Sequence, residues 1–154
     1  MSKPILFHDI DGVLFGEYDG EFQLRPGVKT WLKWAHEHFE VVWLTTWAPE
    51  KIKTLLSVLY CEKFMKNLPD QPVQCANWTN SSSKVVWLSQ AMYKLNGREW
   101  FWLDDDVGTY AKEIEEFKLP KERCIQVCER GPEALERLRV QLALLHEGAR
   151  KNGK

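Results

Sequence analysis

The chain has 154 residues, of which 44% are hydrophobic and 28% charged, with eight tryptophans; this is the size of one domain and the composition of a chain that buries a core, which excludes intrinsic disorder. Lys plus Arg number 21 against 22 for Asp plus Glu, so bulk charge gives no case for binding nucleic acid or a membrane surface. The opening MSKPILFHD lacks the pattern of a signal peptide, and no apolar run approaches the ~20 residues of a membrane span; a soluble cytoplasmic protein is the expectation.

In chain order, PILFHD (4–9) reads as a first strand, apolar throughout until His8 and Asp9, with Asp11 one residue beyond in HDIDGVL. LFGEYDGEFQLRPG (14–27) places an Asp19-Gly20 turn between two short extended stretches, the pattern of a small hairpin flap. A helical period follows in VKTWLKWAHEHF (28–39), then a strand in EVVWLTT (40–46) that ends on Thr45 and Thr46. PEKIKTLLSVLY (49–60) is a helix with Pro49 in its first turn, and PVQCA (72–76) a shorter strand. SKVVWLSQAMYKL (83–95) is a helix capped by Ser82 or Ser83 and headed by Lys84. EWFWLDD (99–105) is a strand running into Asp104, Asp105 and Asp106. GTYAKEIEEF (108–117), RCIQVCE (123–129) and PEALERLRVQLALLH (132–146), with Pro132 in its first turn, complete the series as helix, strand and helix.

Strands alternating with helices, most strands apolar on both faces, specify an α/β fold: a doubly wound, Rossmann-like three-layer sandwich around a central, mainly parallel five-stranded sheet. A single domain over 1–147 and a polar tail at 148–154 are expected. The four cysteines, at 61, 75, 124 and 128, form no C-x-x-C pair and no zinc set, and Cys124 and Cys128 share a strand face as small buried residues. Strand alternation points His8 away from Asp9, toward the role of a satisfied buried histidine. Trp43, Trp100 and Trp102 belong to the core or the sheet faces.

In such sheets ligands bind beyond the carboxyl ends of the strands. The residues there are Asp9 and Asp11, then Thr45 and Thr46, then Asp104, Asp105 and Asp106. Carboxylates forced together raise one another's pKa or take a cation, and an oxygen-rich site with open positions suits Mg²⁺. The Lys84 ammonium reaches toward the same edge, and carboxylates, hydroxyls, a lysine and Mg²⁺ together describe phosphoryl transfer. Each element alone reads more readily as a turn or a solvated helix start; four in register reverse that balance.

On these residues the chain resembles the haloacid dehalogenase-like (HAD) superfamily of Mg²⁺-dependent phosphatases. HDIDGVL resembles its first motif, a strand followed by D-x-D-G; VVWLTT its second; Lys84 its third; and WFWLDDD its fourth, a strand ending in paired acids. The resemblance implies that Asp9 attacks phosphorus to give an aspartyl-phosphate while Asp11 serves as acid and then base. It implies that the metal is held by the Asp9 carboxylate, the Asp11 carbonyl and an acid of the fourth motif, Asp105 with Asp104 steadying it, and that Thr45, Thr46 and Lys84 bind the phosphoryl group. An acid at position 11 favours phosphate ester hydrolysis over cleavage of carbon-halogen or carbon-phosphorus bonds.

The spacing from Asp11 to the Arg25-Pro26-Gly27 stretch, and from Thr46 to Lys84, leaves no room for a large cap domain, so the site is expected to be open beneath the flap. Tyr18 and Trp47 are then candidate substrate contacts, with packing of Trp47 against the flap as the alternative. Capless members act on large substrates, so a phosphorylated small molecule or macromolecular end, nucleic acid included, is the expected partner. The R-P-G stretch is similar to one in carboxy-terminal-domain phosphatases and WLTTW to HAD domains linked to RNA repair. Two rival readings remain: a polynucleotide end phosphatase, and a catalytically idle binding module of the same fold. A response-regulator receiver is disfavoured by D-x-D-G and the flap.

Overall fold

A computed structural model describes residues 2–60, 74–127 and 133–146. Cys61, Cys128, Pro132 and the tail at 148–154 lie outside the described residues. Among the described residues no helix is long and apolar enough to cross a membrane.

Five parallel strands form the central sheet: β1 (Ile5–His8), β4 (Glu40–Trp43), β5 (Gln74–Cys75), β6 (Trp100–Asp104) and β7 (Cys124–Gln126), in the order β5-β4-β1-β6-β7. β1 is central, with Ile5 to His8 in register with Glu40 to Trp43 on one side and Trp100 to Leu103 on the other. All four of its residues are buried, which is why ILFH carries no polar alternation. The order grows outward from β1 in both directions, so the direction of winding switches between β1 and β6, where open α/β sheets bind ligands.

The helices form two layers. Leu6, Val41, Trp43, Phe101 and Leu103 pack in one apolar cluster with α1 (Val28–His38), α2 (Pro49–Tyr60) and α5 (Ala134–Leu145). Ile5, Phe7, Trp100 and Trp102 pack on the opposite face with α3 (Lys84–Ala91) and α4 (Ala111–Glu116). This is the expected three-layer α/β sandwich, and Trp43, Trp100 and Trp102 are buried in it. The element ends differ in detail. β4 stops at Trp43 rather than 46: the Leu44 N–H still donates to the His8 carbonyl at 2.9 Å, and Thr45 to Trp47 then form a bend that leads to α2. The helix expected at 83–95 is α3 followed by a 3₁₀ turn at Met92–Lys94, and the one at 108–117 opens as 3₁₀ over Val107–Tyr110 before α4. Ser83, not Ser82, caps α3, accepting from the Val86 N–H at 3.2 Å.

β2 (Phe15–Tyr18) and β3 (Glu21–Leu24) form the expected separate antiparallel hairpin. Its turn residues Asp19 and Gly20 both have positive φ, 53° and 77°, the pairing a two-residue turn of the right twist requires.

His8 points away from Asp9, as the alternation requires. The Trp31 Nε1–H donates to His8 Nε2 at 2.8 Å, so the ring proton sits on Nδ1 and is donated to the Asp9 carbonyl at 2.6 Å. Burial pushes the His8 pKa down to about 4, consistent with a neutral ring satisfied at both nitrogens. Trp31→Phe keeps most of the packing but leaves Nε2 buried without a donor; urea unfolding should show a loss of about 1–3 kcal/mol.

Candidate functional site

The chain after β1 stays fastened to the sheet, the Asp9 N–H donating to the Leu103 carbonyl at 3.1 Å. It then closes a tight turn in which the Ile10 carbonyl accepts from the N–H groups of Val13, Leu14 and Phe15. Arg25, just past the hairpin, is buried beneath this turn. Its Nε donates to the Val13 carbonyl at 2.7 Å and its Nη2 to the Gly12 carbonyl at 3.0 Å, while its guanidinium lies 4.9 Å over the Tyr18 ring. A cation with a fixed fork of donors therefore locks the turn to the hairpin.

Gly12 has φ 73°, and a Cβ there would fall 2.0 Å from Oδ2 of Asp105. Glycine is demanded twice, by the backbone and by the approach of the loop after β6. That loop is held in turn by Gln126 at the end of β7, whose amide nitrogen donates to the Asp105 carbonyl and whose oxygen accepts from the Gly108 N–H at 2.6 Å.

These supports bring one carboxylate oxygen each of Asp9, Asp104 and Asp105 within 4.8 Å of one another. Lys84, the first residue of α3, lies between two of them, its Nζ 2.7 Å from Asp104 Oδ2 and 3.4 Å from Asp9 Oδ1. Asp9 is 4% exposed, Asp104 1% and Lys84 6%. Asp104 also accepts from the Asp106 N–H at 2.9 Å. The Thr45 side chain favours the ionised form of Asp9, its Oγ1 accepts from the Trp47 N–H at 3.3 Å, and its carbonyl accepts from Trp78 Nε1 at 2.9 Å.

One ammonium facing three carboxylates leaves an excess of negative charge, and the titration behaviour reflects it. Burial first, then the Asp104 charge, pushes Asp9 up to about 7 against the pull of Lys84, the Ile10 N–H and Thr45. Burial and Asp104 likewise raise Asp105 to about 6. Burial works against the Lys84 ammonium, but Asp9 and Asp104 outweigh it and its pKa rises. Clustered carboxylate oxygens short of compensating positive charge are a donor set that would suit a hard divalent cation such as Mg²⁺.

Five residues singled out from the sequence, Asp9, Thr45, Lys84, Asp104 and Asp105, thus converge. Others take different places. The Asp11 side chain is exposed and its carboxylate lies outside the three-acid group, leaving its backbone carbonyl as the atom it could offer a metal. Asp106 is exposed, and its carboxylate accepts from the Thr109 hydroxyl at 3.3 Å. Thr46 is exposed beside the cluster. Tyr18 is buried under Arg25 and serves the hairpin's packing. Trp47 packs edge-on against Phe15 of the hairpin, ring centres 5.9 Å apart.

Arg25, Gln126 and Trp78 escaped the sequence reading as site residues. Trp78 was within reach of the strand-end rule, since it follows β5, but a two-residue strand gives little periodicity to mark its end. Arg25 and Gln126 act through backbone carbonyls, which no side-chain pattern reveals.

Beside the acids a cleft of about 750 Å³ opens between the β4–α2 turn and the segment after β5. Trp43, Thr45, Thr46, Trp47, Ile52 and Asn77 to Thr79 are among its walls. No known family model matches the sequence, and no curated protein does.

Two outcomes follow from this geometry. Gly12→Ala displaces Asp105 and strains the turn, so it should destabilise the fold by at least about 1 kcal/mol in urea unfolding. For Asp9, the folded pKa of about 7 exceeds the ordinary 3.8, so the folded state holds this proton more tightly and stability falls as pH rises between them. In chelator, the melting temperature of Asp9→Asn minus that of the parent should therefore grow from pH 4 to pH 7 and then level; a difference that shrinks over that window contradicts the burial argument.

Proposed function

We propose that the chain is a Mg²⁺-dependent phosphatase of the HAD type, hydrolysing phosphate monoesters through an aspartyl-phosphate on Asp9. The observation that carries this reading is the Asp9–Lys84–Asp104 array at the switch of the sheet, with Asp105 alongside. A buried carboxylate beside a lysine, a threonine hydroxyl and a cation-binding acid set is the equipment for phosphoryl transfer, where positioning and charge stabilisation supply most of the rate.

In the first half-reaction an Asp9 carboxylate oxygen bonds to phosphorus and the ester P–O bond breaks, the leaving alkoxide taking its proton from Asp11. In the second, water attacks the aspartyl-phosphate, gives its proton to Asp11 and releases inorganic phosphate, restoring Asp9. Solvent exposure of Asp11 suits a group that must exchange protons in each turnover. The Asp9 carboxylate must be ionised to attack, and Lys84 and Thr45 both favour that form. Lys84 and Thr45 also supply donors for the phosphoryl oxygens. Mg²⁺ held by Asp9, Asp104 and Asp105, with the Asp11 carbonyl, would offset the charge of the phosphoryl group and of the acids themselves.

The hairpin Phe15–Leu24 is the insertion between Asp11 and α1, which favours an open site over a capped one. A catalytically idle module would share the fold and the acids but show no turnover. Asp9→Asn should reduce hydrolysis of an aryl phosphate by at least about a thousandfold while circular dichroism stays unchanged; full activity in that variant would overturn the reading.

A further inference from the structure

Among the described residues that line the cleft beside the acids none is charged, which sets it apart from the site it adjoins. Two of its walls are half-buried tryptophans. Trp78 is fixed by its bond to the Thr45 carbonyl, and its ring lies 5.9 Å from the Lys84 ammonium. Trp47 is fixed by the edge contact with Phe15. Each indole is therefore held in place before any ligand arrives, the condition under which stacking costs little ordering entropy.

Thr45 belongs to both places, lining the cleft and holding Trp78, while its side chain favours the Asp9 carboxylate. A molecule whose phosphate reaches Asp9 and Lys84 thus has its remainder directed at the two indoles. Polar groups at the rim are few. The Thr79 hydroxyl donates to Asn77 Oδ1 at 2.8 Å, which orients the Asn77 amide N–H groups as donors, and Thr46 is exposed nearby.

We infer that this cleft binds a nucleobase, and that the substrate of the proposed phosphatase is a phosphomonoester of a nucleoside, free or at the end of a nucleic acid strand. The inference rests on the phosphatase reading for the identity of the second group, the phosphate, and on the cleft alone for the first. A volume of about 750 Å³ exceeds what a single phenol ring fills and lies in the range of pockets that take whole small molecules. Described walls of indole, aliphatic and amide groups fit a base and sugar better than the flanking charges of a phosphopeptide, and an amide with two hydroxyls is the kind of set that reads a base edge.

Calorimetry on Asp9→Asn, and on the unmodified chain to control for that substitution, separates the two parts. Nucleoside 3′- and 5′-monophosphates should bind at least about fivefold more tightly than ribose 5-phosphate, the least that base stacking contributes. Trp47→Ala should erase most of that ratio and Trp47→Phe restore much of it. Equal binding of nucleotide and ribose 5-phosphate by the unmodified chain overturns the inference, as does tighter binding of phosphotyrosine or a ratio indifferent to Trp47→Ala. A terminally phosphorylated oligonucleotide binding more tightly than the mononucleotide identifies a strand end as the source; the reverse identifies the free nucleotide. Methyl phosphate, which has no ring, is run in parallel for turnover. Its hydrolysis without a nucleotide preference sinks the cleft assignment alone, and nucleotide preference without any hydrolysis sinks the phosphatase alone.

Discussion

The Lys84 ammonium between Asp9 and Asp104 is the interaction on which the candidate site depends. Removing charged groups from water costs several kcal/mol each, and a buried pair offsets that cost only with good geometry and extra hydrogen bonds. Here the geometry comes from three separate stretches of chain: Asp9 at the end of β1, Asp104 at the end of β6, and Lys84 at the start of α3. An extra bond comes from the Asp106 N–H to Asp104, and Ile10 and Thr45 further favour the Asp9 carboxylate. Even so the acids outnumber the lysine, and Asp9 and Asp105 stay above the usual carboxylate range. The fold stores an excess of negative charge at one place, and a bound cation would relieve it.

Such a deficit is tolerable because the surroundings cannot relax to spread the acids apart. β1 is buried on both faces and bonded on both edges. Its alternation sends His8 toward α1, where Trp31 and the Asp9 carbonyl satisfy both ring nitrogens, and sends Asp9 toward α3 and Lys84. Arg25 clamps the turn after Asp9, Gln126 clamps the loop after Asp104, and the two clamped loops meet where Gly12 passes Asp105. Rigid support of this kind is what holds reacting groups in position without reorganisation during a reaction.

Most of the fold was legible because its strands are short apolar runs between helices of clear period, a pattern that fits parallel pairing and little else. The acids were legible for a geometric reason: strand ends of such a sheet converge, so Asp9 and Asp104 needed only the right strands. Less was visible where position depends on a turn rather than an element. Asp11 lies only two residues past Asp9, yet the turn leaves its side chain in solvent. Tyr18 looked available on a flap, yet the flap folds its ring under Arg25, a cation-π contact between residues that no helical or strand period links. Trp78 follows a strand too short to announce its end.

Thr45 is the point at which the acid cluster and the cleft meet. Its hydroxyl accepts from the Trp47 N–H and its side chain favours the Asp9 carboxylate, while its carbonyl is tied to Trp78, and the next two residues, Thr46 and Trp47, continue into the cleft wall. β4 ends at Trp43 rather than running on through this segment, and that early end frees Thr45 to Trp47 from the ladder so that their backbone can turn between the two sites. Had the strand continued, alternate residues would have pointed to opposite faces of the sheet and could not all have bordered one opening. Both tryptophans are therefore hydrogen-bonded to the cleft residue whose side chain acts on the Asp9 carboxylate, Trp78 through the Thr45 carbonyl and Trp47 through the Thr45 hydroxyl.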